Sequence, residues 1–70
     1  MTLKEWIEDH GLKPTSFAAA VGVPASTITR YLNGETEVLS LRTMRRIAKF
    51  TAKKDPENAL TPEQLFSEAL

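Results

Sequence analysis

Apolar residues recur along this chain at helical spacing, and nowhere in sustained alternation. Leu3, Trp6 and Ile7, followed by His10, fall at i, i+3, i+4 and i+7, one face of a helix. Thr2-Leu3-Lys4-Glu5 is a capping box, in which Thr2 accepts from the N3 amide while Glu5 reaches back. Gly11 suits the left-handed position after this helix, and Leu12 can pack back on its face. A second helix opens at Pro14, preorganised for a first turn, runs through Phe17-Ala18-Ala19-Ala20-Val21 and stops at Gly22. A third begins near Pro24, continues through Ile28 and Tyr31, and ends at Asn33-Gly34. Glu35 to Leu39 reads as a loop.

Ser40 is placed to cap a fourth helix, whose inward stripe is Leu41, Met44, Ile47, Ala48 and Thr51. Lys53 to Ala59 is polar, contains Asp55-Pro56, and reads as a connection. Thr61-Pro62-Glu63-Gln64 combines an N-cap, a proline at the first helical position and a glutamine at N3. Leu65, Phe66 and Ala69 give the last helix its apolar side. The pattern predicts an all-α fold, five short helices in a single domain over residues 1–70, with no strands, repeats or low-complexity segment.

Composition narrows the function. At 41% hydrophobic and 26% charged the chain is globular rather than disordered. Seventy residues bury only roughly 60% of their unfolded surface, so stability should be modest. The chain contains no cysteine, which excludes disulfides and cysteine zinc sites and suits a reducing, cytoplasmic setting. No apolar run reaches about 18 residues, and no basic-then-apolar stretch opens the chain, so neither a membrane span nor a signal peptide is expected. No nucleophile–base pair, phosphate-cradling glycine loop or metal-ligand spacing is present. An enzyme is therefore not expected, nor a cofactor or a metal. The single histidine, His10, reads as a helix-end residue favoured by the C-terminal dipole.

Charge is neutral in sum and uneven in place. Residues 24–54 carry seven basic residues against Glu35 and Glu37, a surplus of five. Residues 55–70 hold Asp55, Glu57, Glu63 and Glu68 with no base, and residues 1–23 are one charge negative. A basic middle between acidic ends suits a polyanion-binding face, although small helical proteins also segregate charge without any such use. Arg42, Arg45, Arg46, Lys49 and Lys53 fall within about 100° on the fourth helix. They form either a basic ridge, for a nucleic-acid backbone or an acidic partner, or an ordinary solvated face opposite Met44, Ile47 and Thr51.

The stretch from Thr15 to Gly34 is the most informative. Its two helices are separated only by Gly22-Val23, too few residues for an antiparallel hairpin. The glycine permits a sharp turn, small Ala18 allows close approach, and Val23 plugs the angle between the helices. On a wheel of the third helix Thr27, Ile28 and Tyr31 lie on one side. Ser26, Thr29, Arg30 and Asn33 lie on the other, with Ala25 at its edge. Short donors and acceptors with one arginine suit major-groove base edges and phosphates, and they equally suit a solvated helix. Tyr31 should be core, with its hydroxyl reaching solvent or a phosphate. Trp6 should be a core or interface plate.

Phe17-Ala18, three residues, Gly22-Val23, then Ser26-Thr27-Ile28-Thr29-Arg30 and Asn33-Gly34 resembles the helix-turn-helix of the Cro/phage-repressor (XRE) family. The resemblance extends to Leu39-Ser40-Leu41, to Ile47-Ala48 and to Leu60 through Leu65, and covers roughly residues 12 to 66. It implies a sequence-specific, double-stranded-DNA-binding transcriptional regulator, repressor-like, homodimeric, cytoplasmic and of prokaryotic or phage origin. The third helix would enter the major groove and present Ala25, Ser26, Thr29 and Arg30 to base edges. Thr15 and Ser16, Asn33, and Ser40, Arg42 and Thr43 would meet phosphates, with Arg42 alternatively leaning toward a minor groove. The C-terminal region would contribute the dimer contact, through Leu65, Phe66 and Ala69. The operator would be near-palindromic.

Departures from the family pattern concentrate base reading on Arg30, with help from Ser26 and Thr29. Pro14 stands where many relatives carry a phosphate-binding glutamine, and Ala25 can offer only a methyl contact. Leu32 replaces a frequent glutamate, and Glu35 and Glu37 would repel phosphate if they faced it. A second reading, a helix-turn-helix scaffold acting through protein–protein contact as an antitoxin or anti-repressor does, fits the neutral charge and the acidic C-terminal segment.

Overall fold

Both ends of the first helix are closed by the residues its sequence supplies. α1 (Leu3–Asp9) starts with the capping box in full: the Glu5 amide donates to Thr2 Oγ1 at 3.1 Å and the Thr2 amide to Glu5 Oε1 at 2.8 Å. The Thr2 amide first, and then the Thr2 hydroxyl, hold the Glu5 carboxyl below its ordinary range. At the other end Leu12 N–H reaches Ile7 C=O and Gly11 N–H reaches Glu8 C=O, a Schellman closure. Leu3, Trp6 and Ile7 face inward.

The computed structural model describes residues 1–35 and 39–69, with side chains through Glu68. After α1 come α2 (Pro14–Val21), α3 (Ala25–Leu32), α4 (Leu41–Lys54) and α5 (Pro62–Ala69), with one 3-10 turn at Pro56–Asn58. No strand occurs among the described residues. The Ser40 cap is present, its Oγ accepting from the Thr43 amide at 3.2 Å, and Thr61 Oγ1 accepts from the Gln64 amide at 3.1 Å. The expected connection from Lys53 is shorter than its polarity suggests: α4 continues through Lys54, and Pro56 opens the 3-10 turn.

α4 is the strut of the molecule, packing against α2 on one side and α5 on another. Met44, Ile47 and Thr51 point inward as expected. Leu41 does not. It is 54% exposed, because it lies about 60° round the wheel from Met44, beyond the edge of the buried stripe. Phe50, outside the predicted stripe, packs on the core instead. It meets Trp6 and Phe17 edge-on, at centroid distances of 6.1 and 5.5 Å, and Trp6 meets Phe17 at 5.8 Å. The His10 ring covers the indole face of Trp6 at 3.7 Å. Its Nδ1 lies 2.8 Å from Trp6 C=O and its Nε2 3.1 Å from Asp55 Oδ2, which ties the end of α1 to the end of α4. Hydrogen bonds from Asn58 and then from His10 hold the Asp55 carboxyl below its usual range.

Thr51, fully buried, is satisfied on both sides of its hydroxyl. It donates to Ala48 C=O and accepts from Leu60 N–H, each at 3.0 Å, and so fixes where the chain re-enters the core before α5.

Candidate nucleic-acid interface

The turn between α2 and α3 rests on one backbone conformation. Gly22 has φ +86°, in the left-handed region, and its N–H and that of Val23 both reach Ala18 C=O. A Cβ there would be strained even though it would meet nothing closer than 3.8 Å. Ala18 is buried and α2 packs directly on α3, as the small residue requires. Val23 is half-buried beside the core. One contact escaped sequence reasoning: Arg46 on α4 donates to Gly22 C=O at 2.9 Å and clasps the turn from outside. Gly22 and Arg46 lie 24 positions apart, and no local pattern signals their meeting.

α3 divides as its wheel demands. Ile28 and Tyr31 are buried, whereas Ala25, Ser26, Thr29, Arg30 and Asn33 are exposed. The exposed five span about 140° of the helix circumference. The residue composition of this face is one guanidinium, three hydroxyl or amide side chains and one methyl. α3 ends at Asn33, and Gly34, at φ +76°, lets Glu35 N–H turn back to Arg30 C=O. Glu35 is exposed, and Glu37 lies outside the described residues.

Thr15 and Ser16 occupy the first turn of α2 and are exposed. No side chain caps this helix, and Pro14 has no N–H, so the Thr15 and Ser16 amides have no intrahelical acceptor. Free amides at the positive end of a helix dipole can accept an anion. At the start of α4, Ser40 Oγ donates to Thr43 Oγ1 at 2.9 Å while capping the helix. The Ser40 hydroxyl proton is thus already engaged, and Thr43, half-buried, keeps its own for another acceptor. Arg42 is exposed. Among the described residues no carboxylate lies within ion-pair distance of Arg30 or Arg42.

Two expectations need correction. The Tyr31 hydroxyl reaches neither solvent nor any phosphate position: it donates to Glu68 Oε1 at 2.7 Å, and Leu65 C=O shares the proton at 2.9 Å. Burial, then Glu68, pushes its pKa up, so it stays a donor. The Glu68 carboxylate also accepts the Leu3 amide at 3.2 Å, which joins α1, α3 and α5 at one point. Tyr31→Phe should cost about 1.5 kcal/mol, since the lost hydrogen bond has a charged acceptor, and should lower Tm by several degrees in a thermal melt. An unchanged Tm would show that the hydroxyl does not brace α3. The second correction is Leu65. It is 1% exposed, packed into the protomer core, and offers no surface to a second copy. Phe66 beside it is 45% exposed, and the Ala69 side chain lies outside the described residues.

Searches of curated proteins and of solved structures return no match. A helix-turn-helix family model does match, over residues 3–57, which takes in α1 to α4 and ends within the 3-10 turn. The match spans the short-linked pair of helices, the left-handed glycine between them and the exposed polar face of the second. The chain belongs to the Cro/C1-type (XRE) helix-turn-helix family of DNA-binding transcription regulators.

Proposed function

We propose that the protein is a repressor-like regulator that reads a near-palindromic duplex operator as a homodimer, each copy laying α3 in the major groove. The observation that carries this reading is the α3 face itself, on which Ala25, Ser26, Thr29 and Arg30 stand exposed while Ile28 and Tyr31 anchor the opposite side. Arg30 is the one side chain on that face able to donate two parallel hydrogen bonds, the geometry that matches guanine O6 and N7. Ser26 and Thr29 add single donors or acceptors, and the Ala25 methyl suits contact with a thymine methyl. Thr15 and Ser16, Asn33, and Arg42 with Thr43 fix the helix on the backbone, and Ser40 shapes that last contact by capping α4. One recognition helix covers only a few base pairs, so a two-fold pair is needed for affinity and selectivity.

Selection of bound duplexes from a random pool, followed by titration at several salt concentrations, tests the reading. A palindromic consensus and a log–log salt slope of several units are expected, and a flat salt response would sink it. On the selected site, Arg30→Ala should weaken binding by roughly 1–3 kcal/mol and relax preference at one base position. Equal weakening on every sequence would instead make Arg30 a phosphate contact. Arg42→Gln should weaken all duplexes alike and reduce the magnitude of the salt slope by about one. If slope and affinity both stay put, Arg42 belongs to the solvated face.

A further inference from the structure

The outer flank of α4 carries a surface that the DNA reading uses only at Arg42. Leu41, Ala48 and Ala52 lie within about 40° on the α4 wheel, and Pro62 at the start of α5 joins them to floor an open groove. Its cationic wall comes from Arg42, Arg45, Arg46 and Lys49, which all lie on one side of that stripe. α4 contains no acidic residue, and among the described residues no carboxylate lies within ion-pair distance of its cations. Arg46 is held by Gly22 C=O, and Arg42 is shared with the phosphate contact proposed above. Arg45 and Lys49 have neither assignment.

Two features of this groove choose its occupant. Its wall carries positive charge without a carboxylate partner among the described residues, so the complement is anionic. Its floor is aliphatic, without a donor of its own, and Leu41 is more than half exposed. A phosphate backbone would neutralise the wall but leave the floor wet. An amphipathic helix with carboxylates along one edge of an apolar stripe satisfies both, by the helix-in-groove mode of recognition. From Leu41 to Ala52 the groove runs about 16 Å along α4, the length of roughly three helical turns. We propose that the α4–α5 groove, floored by Leu41, Ala48, Ala52 and Pro62 and walled by Arg45 and Lys49, docks an acidic amphipathic helix of a partner protein.

The probe is a synthetic helical peptide of about 14 residues, with leucine on one face and glutamate along one edge of it. The control carries lysine in place of glutamate. Each is titrated into the isotopically labelled full chain and followed by amide chemical shifts. The acidic peptide should move signals within Leu41–Ala52 and next to Pro62, leave those of α3 in place, and bind at least about tenfold tighter than the lysine control. Ala52 is exposed, so Ala52→Glu should leave the thermal melt and operator affinity near wild type while weakening the acidic peptide about tenfold. Equal affinity for both peptides, unmoved groove signals or an indifferent Ala52→Glu variant overturns the proposal. Two rival occupants would do so as well: duplex DNA moving the Arg45–Ala52 signals as the operator is titrated, or those signals moving with protein concentration alone. Because the peptide titration contains no DNA, its failure leaves the operator reading untouched, and the reverse holds too.

Discussion

Trp6→Ala should leave this protein largely unfolded at room temperature. The indole is fully buried, lies edge-on to Phe17 and Phe50 and is covered by His10, so its removal empties the point where α1, α2 and α4 meet. Truncating a buried tryptophan costs about 3–5 kcal/mol in lost transfer energy and residual cavity. A single core in a chain of this size rarely supplies more than about 3–5 kcal/mol in total. The variant therefore forfeits most of its margin. Tm should drop by roughly 12–40 °C, and the folding baseline in circular dichroism should shrink or vanish. Operator binding should fall in proportion to the folded fraction, though Trp6, fully buried, is no part of the exposed face of α3. A cooperative melt within a few degrees of wild type would mean that the core closes without this ring.

The second large effect concerns assembly. Phe66 is an exposed aromatic on a helix whose neighbouring Leu65 is fully committed to the core. With Leu65 removed from the expected contact, Phe66 and Ala69 remain of it, and Phe66 is its expected anchor. An aromatic at the centre of a dimer interface is commonly worth 2 kcal/mol or more, so Phe66→Ala should raise the dimer dissociation constant by about 30-fold or more. Sedimentation over a concentration series reads this directly. The half-occupied operator should appear at higher protein concentration, and the half-site spacing of about 34–36 Å should stay the same, since that is set by the docked geometry. If the wild type remains monomeric at high concentration and on its operator, the dimer is wrong. If Phe66→Ala merely lowers Tm without concentration dependence, the ring serves the protomer alone.

What the sequence made legible is what local rules govern. The Thr2 and Ser40 caps, the Gly22 stop and the Pro62 start depend on residues within a few positions of one another, and all appear in the structure. The division of α3 into buried and exposed sides follows from one helical period, and the family register from Phe17 to Gly34 located the turn. Apart from the end of α4, which runs on through Lys54, the misses involve partners far along the chain. Leu41 was assigned inward because it fits a periodic stripe, but how wide a stripe is buried depends on which helices lie against α4. Phe50 was passed over for the same reason, since the edge that buries it belongs to α1 and α2. The Tyr31 hydroxyl finds acceptors 34 and 37 positions away, which no wheel can show. Which bases the exposed face meets depends on a molecule outside the chain.

The meeting of Leu3 and Glu68 across 65 positions has a consequence during synthesis. A ribosome adding about 5–20 residues per second delivers Glu68 some 3–13 seconds after Leu3. In that interval α1 has its own capping box, but the Leu3 amide and the Tyr31 hydroxyl lack the carboxylate that later joins them. The α2–α3 unit, closed by contacts between neighbours in sequence, can form while the chain is still emerging. A nascent chain stalled before α5 would therefore display the exposed polar face of α3 with its inner side unbraced.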